Sequence, residues 1–368
     1  MKFLFLGQGL AATLTGYRLE RAGHDVHYVD APEQTSASQV AAGIVNPITG
    51  RRFVKSWRID ELIPEAKTLY TALEGELGVQ LWYEQPLLRT LYNRGDHNDW
   101  QARSADPGYP EYMEDDPDPG RIPELTDAVF AYAGVRHAAR VDVAELVSAF
   151  RQKLVAEGRF SAEVFDYAKV PGLLGAAAGD ALNLPNSTSA PFSRTTKKVD
   201  GSEARYDHII CCEGWRARHN PYFRYLPHGG NKGEVLIVKT TAPVLDRMFK
   251  HRIFLVPLAD GTYWVGATSE NQFPDDSPTP VNRQFLEDRL AEILTGTDYE
   301  IVNHRAAVRP TVKDRRMIIG THPDFPKLHI LNGLGTKGAS LAPLGSRWLV
   351  EHLLEGTAIP GEVDIRRF

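Results

Sequence analysis

Six residues near the start of the chain, Gly7-Gln8-Gly9-Leu10-Ala11-Ala12, have the types and spacing of a phosphate cradle. Gly7 permits a tight turn, Gly9 lets backbone approach a pyrophosphate, and the small Ala12 lets a helix pack close to a strand. Asp30 follows 23 residues after Gly7, where a carboxylate can accept hydrogen bonds from ribose hydroxyls. Near the other end, Gly333-Leu334-Gly335-Thr336-Lys337-Gly338 repeats the pattern. A second helix start aimed at the same crevice has no evident use in a nicotinamide enzyme. A flavin has one: its reduced ring carries negative charge at the N1/C2=O edge, which aligned N–H groups and a positive helix end stabilise. The two cradles together predict FAD.

Both cradles need a strand before them and a helix after. Lys2 to Leu6 reads as a buried strand, the stretch to about Arg21 as a helix, and Asp25 to Val29 as a second strand. Leu328 to Leu331 reads as a strand and Ala339 to Leu354 as a helix. Between them, Val141 to Glu157 has helical periodicity, with Val143, Leu146, Val147, Phe150 and Leu154 on one face. Asp142 is its expected N-cap, with Glu145 three residues on. A strand is expected near Ser161 to Val170. Tyr206 to Cys212 is apolar on both faces and suits a central parallel strand. Gly233 to Lys239, His251 to Pro257 and Thr262 to Thr268 read as short antiparallel strands, and Asn282 to Leu294 as a helix. Asp106 to Pro123 and Asn183 to Arg194 read as polar loops.

The expected architecture is α/β. A Rossmann-type FAD-binding domain with a parallel sheet is built from residues 1–60, 140–220 and 310–368. A mostly antiparallel α+β substrate domain, residues 61–139 and 221–309, is inserted in two pieces.

The chain has 368 residues, 42% of them hydrophobic and 24% charged, as in an ordinary globular protein. A net charge of −5 offers no global attraction to nucleic acid or an anionic bilayer. No apolar run reaches the roughly 18 residues of a membrane span. Gln8, two glycines and early charges interrupt the apolar start, which argues against a signal peptide and for a cytoplasmic protein. The only cysteines, Cys211 and Cys212, are adjacent and would point to opposite faces of a strand, so they read as buried free thiols. The twelve histidines show no metal-ligand spacing.

Nearly end to end, the chain resembles the D-amino-acid oxidase/glycine oxidase superfamily of flavoproteins. The resemblance rests on Gly7 to Ala12, Ser38 to Gly43, Ile209 to Trp215, Phe254 to Pro257, Val265 to Thr268, Val308-Arg309-Pro310-Thr311, Ile318 to Gly320 and Gly333 to Pro343. It implies flavin contacts at Ser38, Gln39, Ala42 and Gly43, an adenine contact at the backbone of Val170, and a further contact at Gly214. It implies that Gly333, Leu334, Gly335, Thr336, Lys337, Gly338, Ala339 and Ser340 hold the flavin pyrimidine edge, and that Arg309 binds a substrate carboxylate. Phe254 stands where glycine-oxidase-like members carry a pocket tyrosine, and Thr336 where they carry an arginine. The Gly333 to Gly338 loop is instead similar to that of the tRNA-modifying branch, which oxidises a carboxymethyl-amine on a wobble uridine. No cysteine matches the loops that attach flavin covalently in sarcosine-oxidase-like members, so non-covalent FAD is implied.

The resulting expectation is an FAD-dependent oxidoreductase acting on the C–N bond of a small amine or amino acid by hydride transfer to flavin N5. Arg309 would orient the carboxylate, and a guanidinium suits this because it can offer two parallel hydrogen bonds. Lys337 could favour reduced flavin or serve only through its backbone. Arg51, Arg52, Lys55 and Arg58 form a basic run; if helical, Arg51, Lys55 and Arg58 share a face that could receive an acidic substrate, the alternative being a solvated face. His228 and Lys232 flank a Gly-Gly pair that reads as a turn. Trp82, Tyr83, Tyr263 and Trp264 could wall a pocket, although Tyr263 and Trp264 would face opposite ways in a strand. A stand-alone relative of the tRNA wobble-uridine flavoenzymes and an NAD-dependent dehydrogenase remain as alternatives.

Overall fold

The structure is a computed structural model that describes residues 1–31, 35–114, 117, 129–175, 206–241 and 246–368. The expected Asn183 to Arg194 loop, and much of the Asp106 to Pro123 loop, lie outside the described residues.

A six-stranded sheet carries the first cradle. Its order is Phe160–Ala162, Asp25–Asp30, Lys2–Leu6, His208–Cys211, Leu328–Asn332 and Ile318–Thr321. The first five strands run parallel and the last antiparallel. The central strands are apolar on both faces because both are covered, one by long helices and the other by short helical turns and the segment holding Tyr222, Phe223 and Leu226. Helices Leu10–Arg21 and Gly338–Glu355, one from each end of the chain, lie side by side. Helix Val143–Ala156 buries the five residues of its apolar stripe, and Asp142 caps it by accepting from the Glu145 N–H at 3.1 Å.

A seven-stranded sheet forms the second layer. Its order is Tyr299–Val312, His228–Thr240, Tyr263–Gly266, Ile253–Pro257, Met248–His251, Leu87–Leu91 and Ala131–Val135. All pairings are antiparallel except that of Met248–His251 with Leu87–Leu91. Alternation sorts its two faces. Val235, Val256, Trp264, Met248 and Ala307 join the core shared with the parallel sheet; Leu236, Leu255, Val265, Phe249 and Tyr263 pack with helix Pro280–Ile293. Strands Ala139–Val141 and Tyr299–Val312 each run across an expected domain boundary.

Three local expectations are corrected. The strand expected at Ser161 to Val170 ends at Ala162; a 3-10 turn, Tyr167–Lys169, and a short helix, Val170–Leu173, follow, because Asp166 caps them through the Ala168 N–H. His228 begins a thirteen-residue strand rather than a turn, its pairing with Val312 extending through both glycines. The basic run is not helical. Ile48–Thr49 and Val54–Lys55 pair as a small hairpin around Gly50, and Arg58 is the left-handed N-cap of helix Ile59–Leu77.

Candidate active site

A cleft of about 1100 Å³ opens at the carboxyl ends of the parallel strands, the usual ligand position in an open α/β sheet. Gly7, Gln8, Gly9, Leu10 and Ala11 form one side; Asp30, Ser38 and Gln39 continue it; Gly214, Asn332 and Leu334 close the other. The two cradles therefore meet. A Cβ on Gly338 would lie 3.5 Å from Leu10 of the first helix.

The first cradle is built for close approach. Gly7 holds φ +88°, and a Cβ there would lie 2.7 Å from the Cys212 carbonyl oxygen. Gly9 caps the Leu10–Arg21 helix with no side-chain hydrogen bond, so helix-end amides face the cleft. The Leu10 N–H donates to Ser38 Oγ at 3.0 Å, which ties the Ser38 segment to the cradle. Ala12 is fully buried beneath it. These features fit a pyrophosphate.

Asp30 is preorganised by a residue that local pattern did not reveal. Arg151 donates from Nη2 to Asp30 Oδ2 at 2.5 Å and from Nε to Gln8 Oε1 at 2.6 Å, and stacks on Phe160. Glu213 is a second cleft carboxyl. Burial pushes its pKa up, and Tyr167 and Asn220 donate to it. Exposed Val155 and Val164 line the cleft mouth, where an apolar purine face has somewhere to rest. Val170 is not among the residues lining the cleft; it packs with Leu4, Leu6 and Val29 at the start of the short helix that follows the early end of the strand.

Other expected residues surround the cleft without lining it. Ala42 is buried, and Gly43, at φ +71°, packs on the Val141 backbone. In the second loop Gly333 (φ +74°) and Gly335 (φ +56°) shape the turn, Thr336 is exposed, and Gly338, Ala339 and Ser340 begin the last helix. Lys337 is half-buried; its Nζ donates to Ser56 Oγ at 3.1 Å, and burial lowers its pKa.

Arg309 stands between Val308 and Pro310, both in the cleft wall, and its side chain points to the opposite face of the strand. Its Nη1 donates to Asn231 Oδ1 at 2.6 Å and to the Thr268 carbonyl at 3.2 Å. Among the described residues no carboxylate pairs with it. A Cβ on Gly233 would lie 2.0 Å from Arg309 Nη2, so that glycine makes the room the guanidinium fills. Burial lowers its pKa. Phe254 is on the same face by register, through Gly266 and Val235. Trp264 on that face donates to the Val40 carbonyl at 2.8 Å, whereas Tyr263 faces away.

Arg51 is exposed on the hairpin turn. Lys55 pairs with Asp60, and Arg58 with Glu61 and Glu362. The shared helical face expected of Arg51, Lys55 and Arg58 does not exist, because the segment turns at Gly50. Cys211 and Cys212 are buried free thiols. Among the described residues there is no metal-ligand cluster, and no helix is long and apolar enough to cross a membrane.

Comparison with known proteins agrees with this geometry. A glycine oxidase of Pseudomonas aeruginosa is 31% identical over 154 residues, 40% of this chain and 42% of that protein. A tRNA 5-methylaminomethyl-2-thiouridine biosynthesis bifunctional protein of Marinobacter nauticus is 29% identical over 116 residues, 28% of this chain and 18% of that protein. Each match thus spans less than half of the relative's length. The fold is that of glycine oxidase from Geobacillus kaustophilus (TM-score 0.75, 20% identity, 97% and 95% of the two chains) and of iminodiacetate oxidase from Chelativorans sp. BNC1 (TM-score 0.73, 19% identity, 97% of each). Residues 4–352 match the family described as FAD dependent oxidoreductase (DAO), and with that match over nearly its whole length the chain belongs to this family of flavoenzymes.

Proposed function

We propose that the protein oxidises the C–N bond of a small amine or amino acid that carries a carboxylate. The observation that supports this most is Arg309: a half-buried guanidinium, held by two neutral acceptors and no acid, on a strand whose neighbouring residues line the FAD cleft. Such a cation is a ready receptor for a carboxylate. The names of the relatives, glycine oxidase and iminodiacetate oxidase, belong to enzymes of carboxylated amines and favour the same class.

Gly7 to Ala11, Ser38, Gln39, Asp30 with Arg151, Gly214 and Leu334 would hold the dinucleotide, and Gly333 to Ser340 its ring edge. When bound, FAD supplies a two-electron acceptor for the amine carbon. Arg309 fixes the substrate by its carboxylate, and Asn231 fixes Arg309. Trp264 and Phe254 exclude water from that face. Lys337, held by Ser56, adds positive charge beside the second cradle. Attachment is non-covalent in this reading, because both thiols are buried and burial pushes their pKa values up. No side-chain base is required, since orientation and exclusion of water carry the reaction.

Anaerobic mixing with a panel of amines, imino acids and amino acids tests the proposal by bleaching of the flavin absorbance. Reduction by carboxylated amines supports it; failure of every carboxylated amine, with reduction by another class, overturns it. The Gly333 to Gly338 loop and the partial match to the tRNA-modifying protein favour a second reading, a carboxymethyl-amine on a nucleotide. Tight tRNA binding that falls steeply with salt would select that one.

A further inference from the structure

Lys232 meets Glu234 and Arg140 meets Asp142, each at 3.1 Å, and Arg18 meets Glu65. Two half-buried cations on the Arg309 face of the antiparallel sheet have no such acid, as Arg309 itself has none. Lys250 and Arg89 are direct neighbours across the Met248–His251 and Leu87–Leu91 strands. Lys250 is also the pairing partner of Phe254, and its Nζ lies 4.4 Å from the centre of that ring. Its one hydrogen bond goes to the Arg252 carbonyl. Arg89 stacks on Phe53 at 4.4 Å and donates from Nη2 to the Gly50 carbonyl at 3.3 Å; its Nε is buried without a partner. No carboxylate among the described residues pairs with either. Burial lowers the Lys250 pKa to about 8 and that of Arg89 to about 10.

This arrangement is costly for the isolated fold. Like charges directly opposite each other in a sheet repel, and a partly desolvated cation without an acid gives up hydration that carbonyl and ring contacts only partly replace. Both anchors are strained as well. Phe53 (φ +51°) and Arg252 (φ +53°) occupy the left-handed region that bulky residues avoid. The pair sits beyond Phe254 from Arg309 on one continuous sheet face, close to the exposed Arg51-Arg52 turn. All this belongs to a protein whose net charge is negative.

We propose that Lys250 and Arg89 form a second anion subsite, so that the substrate is a dianionic amine with one carboxylate on Arg309 and a second acidic group, carried past Phe254, on this pair. The inference rests on the amine-oxidising reading and narrows its substrate class. Phe254, where a hydroxyl is absent, then serves as the apolar spacer between two acid-binding ends.

The test compares N-alkylglycines with N-(carboxyalkyl)glycines of equal chain length, by kcat/KM for flavin reduction in the holoenzyme. The wild-type protein should prefer the carboxyalkyl compounds at least ten-fold at the best length. Lys250→Met should bring that ratio close to one, and Lys250→Arg should restore most of it. A wild-type ratio of one, or a ratio unchanged in Lys250→Met, overturns the subsite. So does tight binding of mixed tRNA that Lys250→Met abolishes without any preference among the small acids. If no glycine derivative reduces the flavin, the amine-oxidising reading fails by itself, and the subsite is then judged by binding. Glutarate should perturb the oxidised flavin spectrum at ten-fold or more lower concentration than butyrate, and equal potency overturns the subsite.

Discussion

Arg309 is held by neutral groups, so its removal orphans no buried carboxylate. Arg309→Ala should therefore fold normally and lose roughly 10- to 150-fold in kcat/KM for carboxylated amines, the value of about 1.5–3 kcal/mol for a charged hydrogen bond. Uncharged amines should lose far less; equal losses for both classes would remove the assigned role. Gly233→Ala gives an independent check. Its methyl would stand 2.0 Å from Arg309 Nη2 and must displace the guanidinium, so KM for carboxylated amines should rise while FAD content is retained. Arg151→Met should weaken FAD binding, read as Kd by flavin fluorescence, because Asp30 and Gln8 lose the donor that aims them. Gly7 and Asp30, which line the cleft, were flagged by a short patterned segment, and Arg309 by the family resemblance. Arg151 and Glu213 were not. Arg151 meets Asp30 across 121 residues of chain, and Glu213 meets Tyr167 across 46. Only the fold brings such pairs together.

The two cradles are properties of strand–turn–helix units rather than of single side chains. Gly7→Ala is disfavoured twice, by φ +88° and by the Cys212 carbonyl 2.7 Å from the new methyl. The turn must open, and the purified variant should show a clearly lower flavin-to-protein absorbance ratio than the wild-type protein. Undiminished flavin content would mean that the turn does not carry the pyrophosphate. Asp142→Ala instead removes the cap of helix Val143–Ala156, worth about 1 kcal/mol, and with it the acid partner of buried Arg140, so the loss should exceed that of a cap alone and be seen as a lower Tm with unchanged FAD affinity. Elements with long apolar periodicity, such as Val143–Ala156 and His208–Cys211, could be read from sequence because burial demands that periodicity. The Ile48–Lys55 hairpin could not. Its strands are two residues long, and its charges, at spacings that mimic a helix face, are placed by the Gly50 turn and the left-handed Arg58. The helical setting of Val170 was hidden for a related reason. An apolar residue eight beyond the last strand residue continues the pattern in sequence, but Asp166 has already turned the chain.

At the scale of the whole molecule, the parallel sheet has two ends with different chemistry. The carboxyl ends open into the cofactor cleft, while the opposite end carries a chain of imidazoles centred on buried His329. His208 Nδ1 meets His329 Nε2 at 2.9 Å, His329 Nδ1 meets Thr321 Oγ1 at 2.9 Å, and Thr321 continues to His352 Nε2 at 3.1 Å. Burial lowers the pKa of both His208 and His329, and in His329 the neighbouring imidazoles lower it further. The folded protein thus favours the neutral form of His208 and His329, whereas in the unfolded chain they titrate near 6.5. Below that pH the unfolded chain binds more protons, and folding loses stability as pH falls. Above it both states are neutral and the cluster has no pH dependence. Tm should therefore be level from pH 8 to about 7 and decline from about 6.5 toward 5, before most carboxylates titrate. His329→Gln, which cannot be protonated, should flatten that decline while leaving flavin content unchanged, because the cluster lies at the far end of the sheet from the cleft. A decline of equal slope in the variant would place the acid sensitivity in other groups and leave the imidazole chain as a packing feature alone.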